Sequence, residues 1–270
     1  MCSLLPWVGR LVPYDDLVSR FFANHLRRYH SENNAHMAVF CYNYIAYRLL
    51  REARKLGYRT VLGQIDAGPE AGKINREIYR RYFGSAHRPN PDLYTIRRAQ
   101  WEEEIGVADI VVVNSSWSGK LLVAAGVDEA KIRIIPVSFR SRMVPPEFNR
   151  RYPDEFTPTR PLKVLFMGSI KPLKGIIPLI QAARCLTGKP VHFVVAGVLK
   201  MSESALGDIP DNVTLISGGV PRHETTLFYR DADVFILPTF SDGFAITQLE
   251  AQAWKLPVIS TPYCGEVVTL

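Results

Sequence analysis

Short unbroken apolar runs alternate along this chain with longer stretches in which apolar residues recur every three or four positions. The first pattern suits strands covered on both faces, and the second suits amphipathic helices. In the first half the runs predict strands at 37–41, 60–65, 108–114 and 131–136. The helical spacing covers 14–29, 44–56, 70–83 and 95–106, with a further helix capped by Ser115 or Ser116 and ending near Gly126. Gly57 is placed to close the second of these helices. Residues 137–161 break the rhythm with proline and charge, and it then restarts. Strands are predicted at 164–168, 191–197, 213–217, 233–238 and 257–261, with helices at 174–186, 222–230 and 246–254. Strand and helix in alternation predict an α/β fold of two Rossmann-like, doubly wound parallel-sheet domains. The expected division is a basic domain over 1–140, a linker over 141–161 and a second domain over 162–270. In such sheets ligands bind beyond the carboxyl ends of the strands.

Composition narrows the class. The chain has 270 residues, 47% of them hydrophobic and 22% charged, an ordinary globular balance that excludes disorder and fibrous repeats. Cys2, Cys41, Cys185 and Cys264 form no CxxC pair, which disfavours a zinc ribbon or a disulfide scaffold and suits a reducing cytoplasm. No apolar run approaches the ~20 residues that span a bilayer, and the N-terminal stretch lacks the apolar core of a signal peptide. The formal net charge is +7. The first 150 residues carry 22 Lys and Arg against 15 Asp and Glu, whereas the rest carry 11 of each. The excess therefore belongs to the first half, which points to an anionic partner there.

Two segments of the second half carry chemistry. In 237–261 a strand ends at Leu237-Pro238, a loop holds Asp242-Gly243-Phe244-Ala245, and the helix that follows carries Glu250. Backbone N–H groups at a helix N-terminus favour a phosphate, Gly243 allows close approach, and two carboxylates can accept hydrogen bonds from sugar hydroxyls. A plainer role, with Asp242 capping the helix and Glu250 in solvent, fits the spacing equally. In 166–180 a strand ends at Gly168-Ser169, a loop carries Lys171 and Lys174, and a helix starts at Gly175. A lysine beside a helix N-terminus is a phosphate clamp, although an exposed loop lysine is the commoner case.

In this order the two segments resemble the donor-binding domain of retaining GT-B glycosyltransferases of family 4. The resemblance rests on Gly168-Ser169 to Lys174-Gly175, on the stretch DGFAITQLE from Asp242 to Glu250, on AQAWKLPVIS after it, and on FYRDADVFILP before it. Residues 101–136 resemble the end of the family's acceptor domain. It implies that Lys174, with Gly168 and Ser169, binds the diphosphate of a nucleotide sugar. It further implies that Asp242 binds a sugar hydroxyl, that Gly243, Phe244 and Ala245 offer backbone N–H groups, that Glu250 holds the ribose, and that Val220 lies near the base. The co-substrate would be a nucleotide-diphosphate sugar, with no further cofactor and no metal, and the acceptor a glycolipid or polysaccharide precursor. The pattern departs at Ser169, at Asp242, at Ala245 and at Lys255, which stands where the family ends a helix with glycine and must take a left-handed conformation. Both ends are shorter than the family pattern, so a non-catalytic nucleotide-sugar binder, or a subunit completed by a partner, is the expected alternative.

Other features are weaker. Asp66, after the strand at 60–65, is a candidate catalytic residue on the acceptor side, but a turn role before Ala-Gly-Pro is the commoner one. Asp231-Ala232-Asp233 precedes a strand, where a metal-binding DxD follows one. The histidines, at 25, 30, 36, 87, 192 and 223, show no ligand spacing. No nucleic-acid-reading motif accompanies the basic excess, so nucleic acid is not an expected partner. The helix over 14–29 places Phe21 and Phe22 opposite its arginines. It is expected to face the core. The Arg-rich segments at 44–59 and 74–88 keep an anionic membrane surface as a candidate partner, with a peripheral cytoplasmic location.

Overall fold

A computed structural model describes residues 14–29, 37–84, 91–139 and 144–265. His30, His36 and His87, residues 85–88 of the second Arg-rich segment, the start of the expected linker and both ends of the chain lie outside the described residues. The described residues divide into two compact units, one drawn from 1–70 and 89–135, the other from 71–88 and 136–270.

The first unit begins with α1 (Tyr14–Tyr29) and continues through β1 (Ala38–Tyr42), α2 (Tyr47–Lys55) and β2 (Arg59–Gln64). Then come α3 (Gly68–Phe83), α4 (Pro91–Val107), β3 (Ile110–Val113), α5 (Ser116–Ala124) and β4 (Ile132–Ile134). The helix α3 crosses the boundary, because its residues from Ala71 onward belong to the second unit. The four strands lie in the order β1-β2-β3-β4, all parallel. Leu50, Leu62, Trp101, Val111, Val113 and Leu122 form the core on the face that α2, α4 and α5 cover. Glu104, fully buried, accepts the Tyr44 and Ala46 N–H groups at 2.7 and 2.8 Å. Its carboxylate thus satisfies donors just before α2 that no helical carbonyl can reach. Ser115, not Ser116, caps α5 by accepting the Ser118 N–H at 3.1 Å.

The spacing along α1 predicts that its aromatic side faces the core, and the structure reverses this. Phe21 and Phe22 are 64% and 51% exposed, whereas the adjacent Ala23 is buried. The small Ala23 side chain lets α1 approach α2 closely, which leaves the bulkier rings outside.

The second unit contains β5 (Leu162–Met167), α6 (Ile176–Cys185), β6 (Val191–Ala196), β7 (Val213–Ile216), α7 (Arg222–Asp231), β8 (Val234–Leu237), α8 (Ile246–Ala253) and β9 (Val258–Ser260). All pairs are parallel and the order is β7-β6-β5-β8-β9. Phe166, Ile176, Leu179, Phe235 and Leu237 anchor its core. The chain moves one way from β5 to β6 and β7, then returns to the other side of β5 for β8. The switch point therefore lies between β5 and β8, the place where ligands bind in sheets of this kind.

Residues 148–160 pack on this unit. Phe148 meets the Trp254 ring edge-on at 4.9 Å. The Arg150 guanidinium donates to the carbonyls of Tyr229, Arg230 and Ala232 at the end of α7 and to that of Trp254 at the end of α8. One cation thus serves the unpaired carbonyls and negative dipole ends of two helices. Arg160 grips the buried Asp233 through two bonds of 2.7 Å, and the Lys163 N–H adds a third at 2.9 Å. Burial works against the Asp233 charge, but Arg160 and the Lys163 N–H outweigh it and hold the carboxyl below its ordinary value. A carboxyl with a lowered folded pKa stabilises above the ordinary carboxylate range and stops doing so as pH falls through the lowered value. Arg160→Ala leaves Asp233 buried with no cation, at a cost on the order of 3 kcal/mol. Urea titration is expected to show that loss at neutral pH, and the loss should shrink as pH falls and the buried Asp233 takes up a proton.

Candidate functional site

The loop after β5 rises through Gly168 and the half-buried Ser169, forms a single 3-10 turn over Pro172–Lys174, and enters α6 through Gly175. The predicted continuous helix over 174–186 is broken because Gly175 is left-handed, with φ 76°. A Cβ there would sit 1.9 Å from the Pro238 carbonyl oxygen, so only glycine lets this loop lie against the end of β8. The same close packing recurs beside it, where a Cβ on Gly197 would lie 1.7 Å from the Gly168 oxygen. The Phe240 N–H and the Thr239 hydroxyl both donate to the Leu173 carbonyl, at 2.9 and 3.1 Å, and so tie the loop after β8 to the loop after β5.

The two loops bring Lys174 and Asp242 into direct contact as an ion pair, each side chain 18% exposed. Asp242 therefore does not cap α8, whose first turn has Ala245 as its cap residue and no side-chain cap. Burial, and then the neighbouring Lys171, push the Lys174 ammonium down to about 8. The Asp242 N–H donates to the Tyr263 carbonyl at 2.8 Å, which fixes the loop from the far side.

Glu250 lies on α8 and is 16% exposed. It accepts the Tyr229 hydroxyl at 2.7 Å, and Arg222 approaches its other oxygen at 3.5 Å. Tyr229 is almost fully buried, and burial together with the Glu250 charge keeps its hydroxyl protonated and donating. Because Tyr229 and Glu250 stand on the two helices whose ends Arg150 joins, their alignment is built into the packing. Lys255, just after α8, takes φ 53°, as its place in the sequence requires. The Lys255 and Leu256 N–H groups return to the Gln252 and Ala251 carbonyls at 2.8 and 3.0 Å, a Schellman closure without glycine.

Other sequence candidates are placed differently. The Ala245 N–H, expected to face a ligand, donates inward to the Cys264 carbonyl at 3.3 Å. Gly243 is buried, and Phe244 lies beside Gly265. Val220 is half-buried after β7, two strands from β5, and packs on the domain core. Asp66 belongs to the first unit and is fully engaged. It accepts from Gln64 at 2.6 Å, the Gly68 N–H at 2.9 Å and the Tyr44 hydroxyl at 2.7 Å, which is the turn role at the start of α3. Asp233 of the DxD string is consumed by Arg160, and among the described residues no cluster of three His, Cys, Asp or Glu could hold a metal. Sequence pattern does not reveal the parts played by Tyr229 and Arg150. Tyr229 stands within the FYRDADVFILP stretch, but nothing local signals its bond to Glu250.

Residues 149–270 match the family model described as glycosyl transferases group 1. These residues are similar to that family. Curated relatives include D-inositol 3-phosphate glycosyltransferases of Paenarthrobacter aurescens (strain TC1), 27% identical over 204 residues, and of Mycobacteroides abscessus, 30% identical over 205. The matches cover 67% and 70% of this chain and 47% and 44% of those proteins, so the chain spans a little under half their length. Among solved structures, Anabaena Alr3699/HepE in complex with UDP-glucose superposes with a TM-score of 0.62 at 13% identity, over 97% of this chain and 67% of that one. Sucrose-phosphate synthase from Thermosynechococcus elongatus gives 0.60 at 17%, over 94% and 63%. The fold is that of GT-B glycosyltransferases, and Lys174, Asp242 and Glu250 all lie in the matched segment.

Proposed function

We propose that the chain binds a nucleotide-diphosphate sugar at the β5–β8 switch point and transfers its hexosyl group to a hydroxyl acceptor with retention of configuration. The observation that carries the reading is the Lys174–Asp242 pair where the loops after β5 and β8 meet. A half-desolvated ammonium there is a strong diphosphate clamp, because charge–charge attraction is little screened. On donor binding Lys174 exchanges Asp242 for the diphosphate, and the freed carboxylate accepts from a sugar hydroxyl. Glu250, already aligned by Tyr229, accepts from the ribose hydroxyls. The leaving diphosphate takes the acceptor's proton as it departs on the same face of the sugar. Lys174 and the N-terminus of α6 stabilise the charge that develops on it, with no metal required. A UDP-glucose complex of a structural neighbour supports this class of donor. The acceptor is proposed to be a glycolipid or polysaccharide precursor, met at the cytoplasmic face of a membrane. No helix among the described residues is long and apolar enough to cross one.

The test is mass-spectrometric detection of transfer from a panel of sugar nucleotides, in EDTA, with thermal shifts by UDP, GDP, ADP and duplex DNA in parallel. One nucleoside diphosphate is expected to stabilise the fold and its sugar to be transferred. Glu250→Ala is expected to raise the donor KM about 10- to 100-fold, the loss expected for hydrogen bonds to a charged group. Stabilisation without transfer points to a binding protein, and stabilisation by DNA alone overturns the reading.

A further inference from the structure

Gln248 stands in the first turn of α8, between Asp242 and Glu250 in the sequence, and it is fully buried. A buried amide costs free energy unless it is paired, so an apolar residue would fill this place at lower cost. Here the amide is paired across the fold. Its Nε2 donates to the Cys264 carbonyl at 2.9 Å, and its Oε1 faces the Cys264 sulfur at 3.9 Å. Cys264 is also fully buried. The bond is therefore shielded from water, which makes it costly to leave unmade.

The Cys264 carbonyl belongs to the segment that returns from β9 along the loop after β8. The two stretches are laced together. The Thr261 hydroxyl donates to the Thr239 carbonyl at 2.5 Å, the Asp242 N–H to the Tyr263 carbonyl at 2.8 Å, and the Ala245 N–H to the Cys264 carbonyl at 3.3 Å. The Phe244 ring lies so close to Gly265 that a Cβ there would come within 2.8 Å of it. Of the two bonds at the Cys264 carbonyl, the one from Ala245 is long and the one from Gln248 is of ordinary length, so Gln248 holds this point. Two positions further along α8, Glu250 is held by Tyr229 at 2.7 Å. Gln248 thus ties the loop that carries Asp242, through the returning segment, to the helix that carries Glu250.

We infer that Gln248 is a positioning residue: through the Cys264 carbonyl it fixes the Asp242 loop on α8, and so sets the spacing at which one donor molecule meets Asp242 and Glu250 together. This rests on the donor reading proposed above. Gln248 is buried and acts through the backbone, not on the ligand. A nucleoside diphosphate needs only Lys174 and Glu250, whereas a nucleotide sugar must reach Asp242 as well. The contribution of Gln248 therefore falls on the affinity that the sugar adds, and on turnover.

Gln248→Met keeps the length of the side chain and removes its donor. In the unliganded full chain, hydrogen exchange at the Asp242 and Ala245 amides is expected to quicken about five- to tenfold. Affinity for UDP, GDP or ADP, whichever the parent binds, should stay within about twofold, while the affinity gained by adding the sugar falls about fivefold and kcat about tenfold. Gly188→Ala perturbs a turn with open space around it and should change none of these readings. Gln248→Glu adds a sign that mere space filling cannot give. A buried carboxyl ionises only above its ordinary range. At acid pH it is protonated, and its O–H can donate to the Cys264 carbonyl; once ionised it repels that oxygen. Protection of the Asp242 amide, corrected for the intrinsic rate, should approach the parent's in acid and be lost as pH rises, whereas Gln248→Met shows no such recovery. The inference fails if Gln248→Met exchanges as slowly as the parent, or if it weakens the nucleoside diphosphate and the nucleotide sugar alike. A parent that binds no sugar nucleotide overturns the donor reading, and with it the role in sugar spacing, even where the exchange rates show the tie.

Discussion

Lys174→Met is expected to weaken binding of the cognate nucleoside diphosphate about 30- to 100-fold, the loss of a charge-assisted contact in a partly desolvated site. It also leaves the Asp242 carboxylate, 18% exposed, without its cation, so the folded state should lose about 1–3 kcal/mol. The two effects separate in Lys174→Met with Asp242→Asn. Stability should largely return, because no charge is stranded, whereas affinity should not. Isothermal titration across pH adds a second check. Lys174 sits at about 8, so affinity carried by its protonated form should hold below that pH and fall about tenfold per unit above it. The step should vanish in Lys174→Met. The sign for folding is opposite. An ammonium whose folded pKa lies below the ordinary 10.5 binds fewer protons when folded, so unfolding becomes harder as pH rises from about 8 toward 10.5. Affinity that stays flat to pH 10 would mean that Asp242 keeps the proton on Lys174, and the clamp would then work without this pH limit.

That Lys174 and Asp242 share one site is legible in the sequence, because both follow strand ends in a domain whose strand rhythm is strong. Parallel topology carries every strand's carboxyl end to one edge, and two loops after neighbouring strands must meet there. What is not legible depends on distance along the chain. Arg150 stands in a segment with no periodicity, and its partners lie 79 to 104 positions away. The tie between Tyr229 and Glu250 arises only once α7 and α8 share a cap. The buried side of α1 escapes the sequence for a related reason. Spacing identifies an apolar stripe, but it cannot say whether the neighbour is a core or a small-residue contact, and Ala23 takes the contact. Ala245 looks like a ligand donor because it begins a helix, yet the chain after β9 returns and takes its N–H.

Gly175→Ala is expected to cause the largest single loss of stability, about 3 kcal/mol or more, and to abolish donor binding in whatever folded fraction survives. Two penalties combine there. The residue has φ 76°, which an L side chain resists by about 1–2 kcal/mol, and its Cβ would fall 1.9 Å from the Pro238 carbonyl oxygen. That oxygen is backbone at the end of β8, so it cannot swing aside as a flexible side chain would; the loop after β5 must lift away from β8. Lifting it takes Lys174 from Asp242 and so displaces the ammonium proposed to hold the diphosphate. Gly188→Ala isolates the first penalty, because Gly188 has φ 80° and open space where a Cβ would go. Urea titration should therefore show a modest loss of about 1 kcal/mol for Gly188→Ala with nucleotide binding intact. If the two variants lose equal stability, the close approach of the loops is not what fixes Lys174. Its position would then rest on the hydrogen bonds from Thr239 and Phe240 to Leu173, and Thr239→Val would become the variant that unseats it.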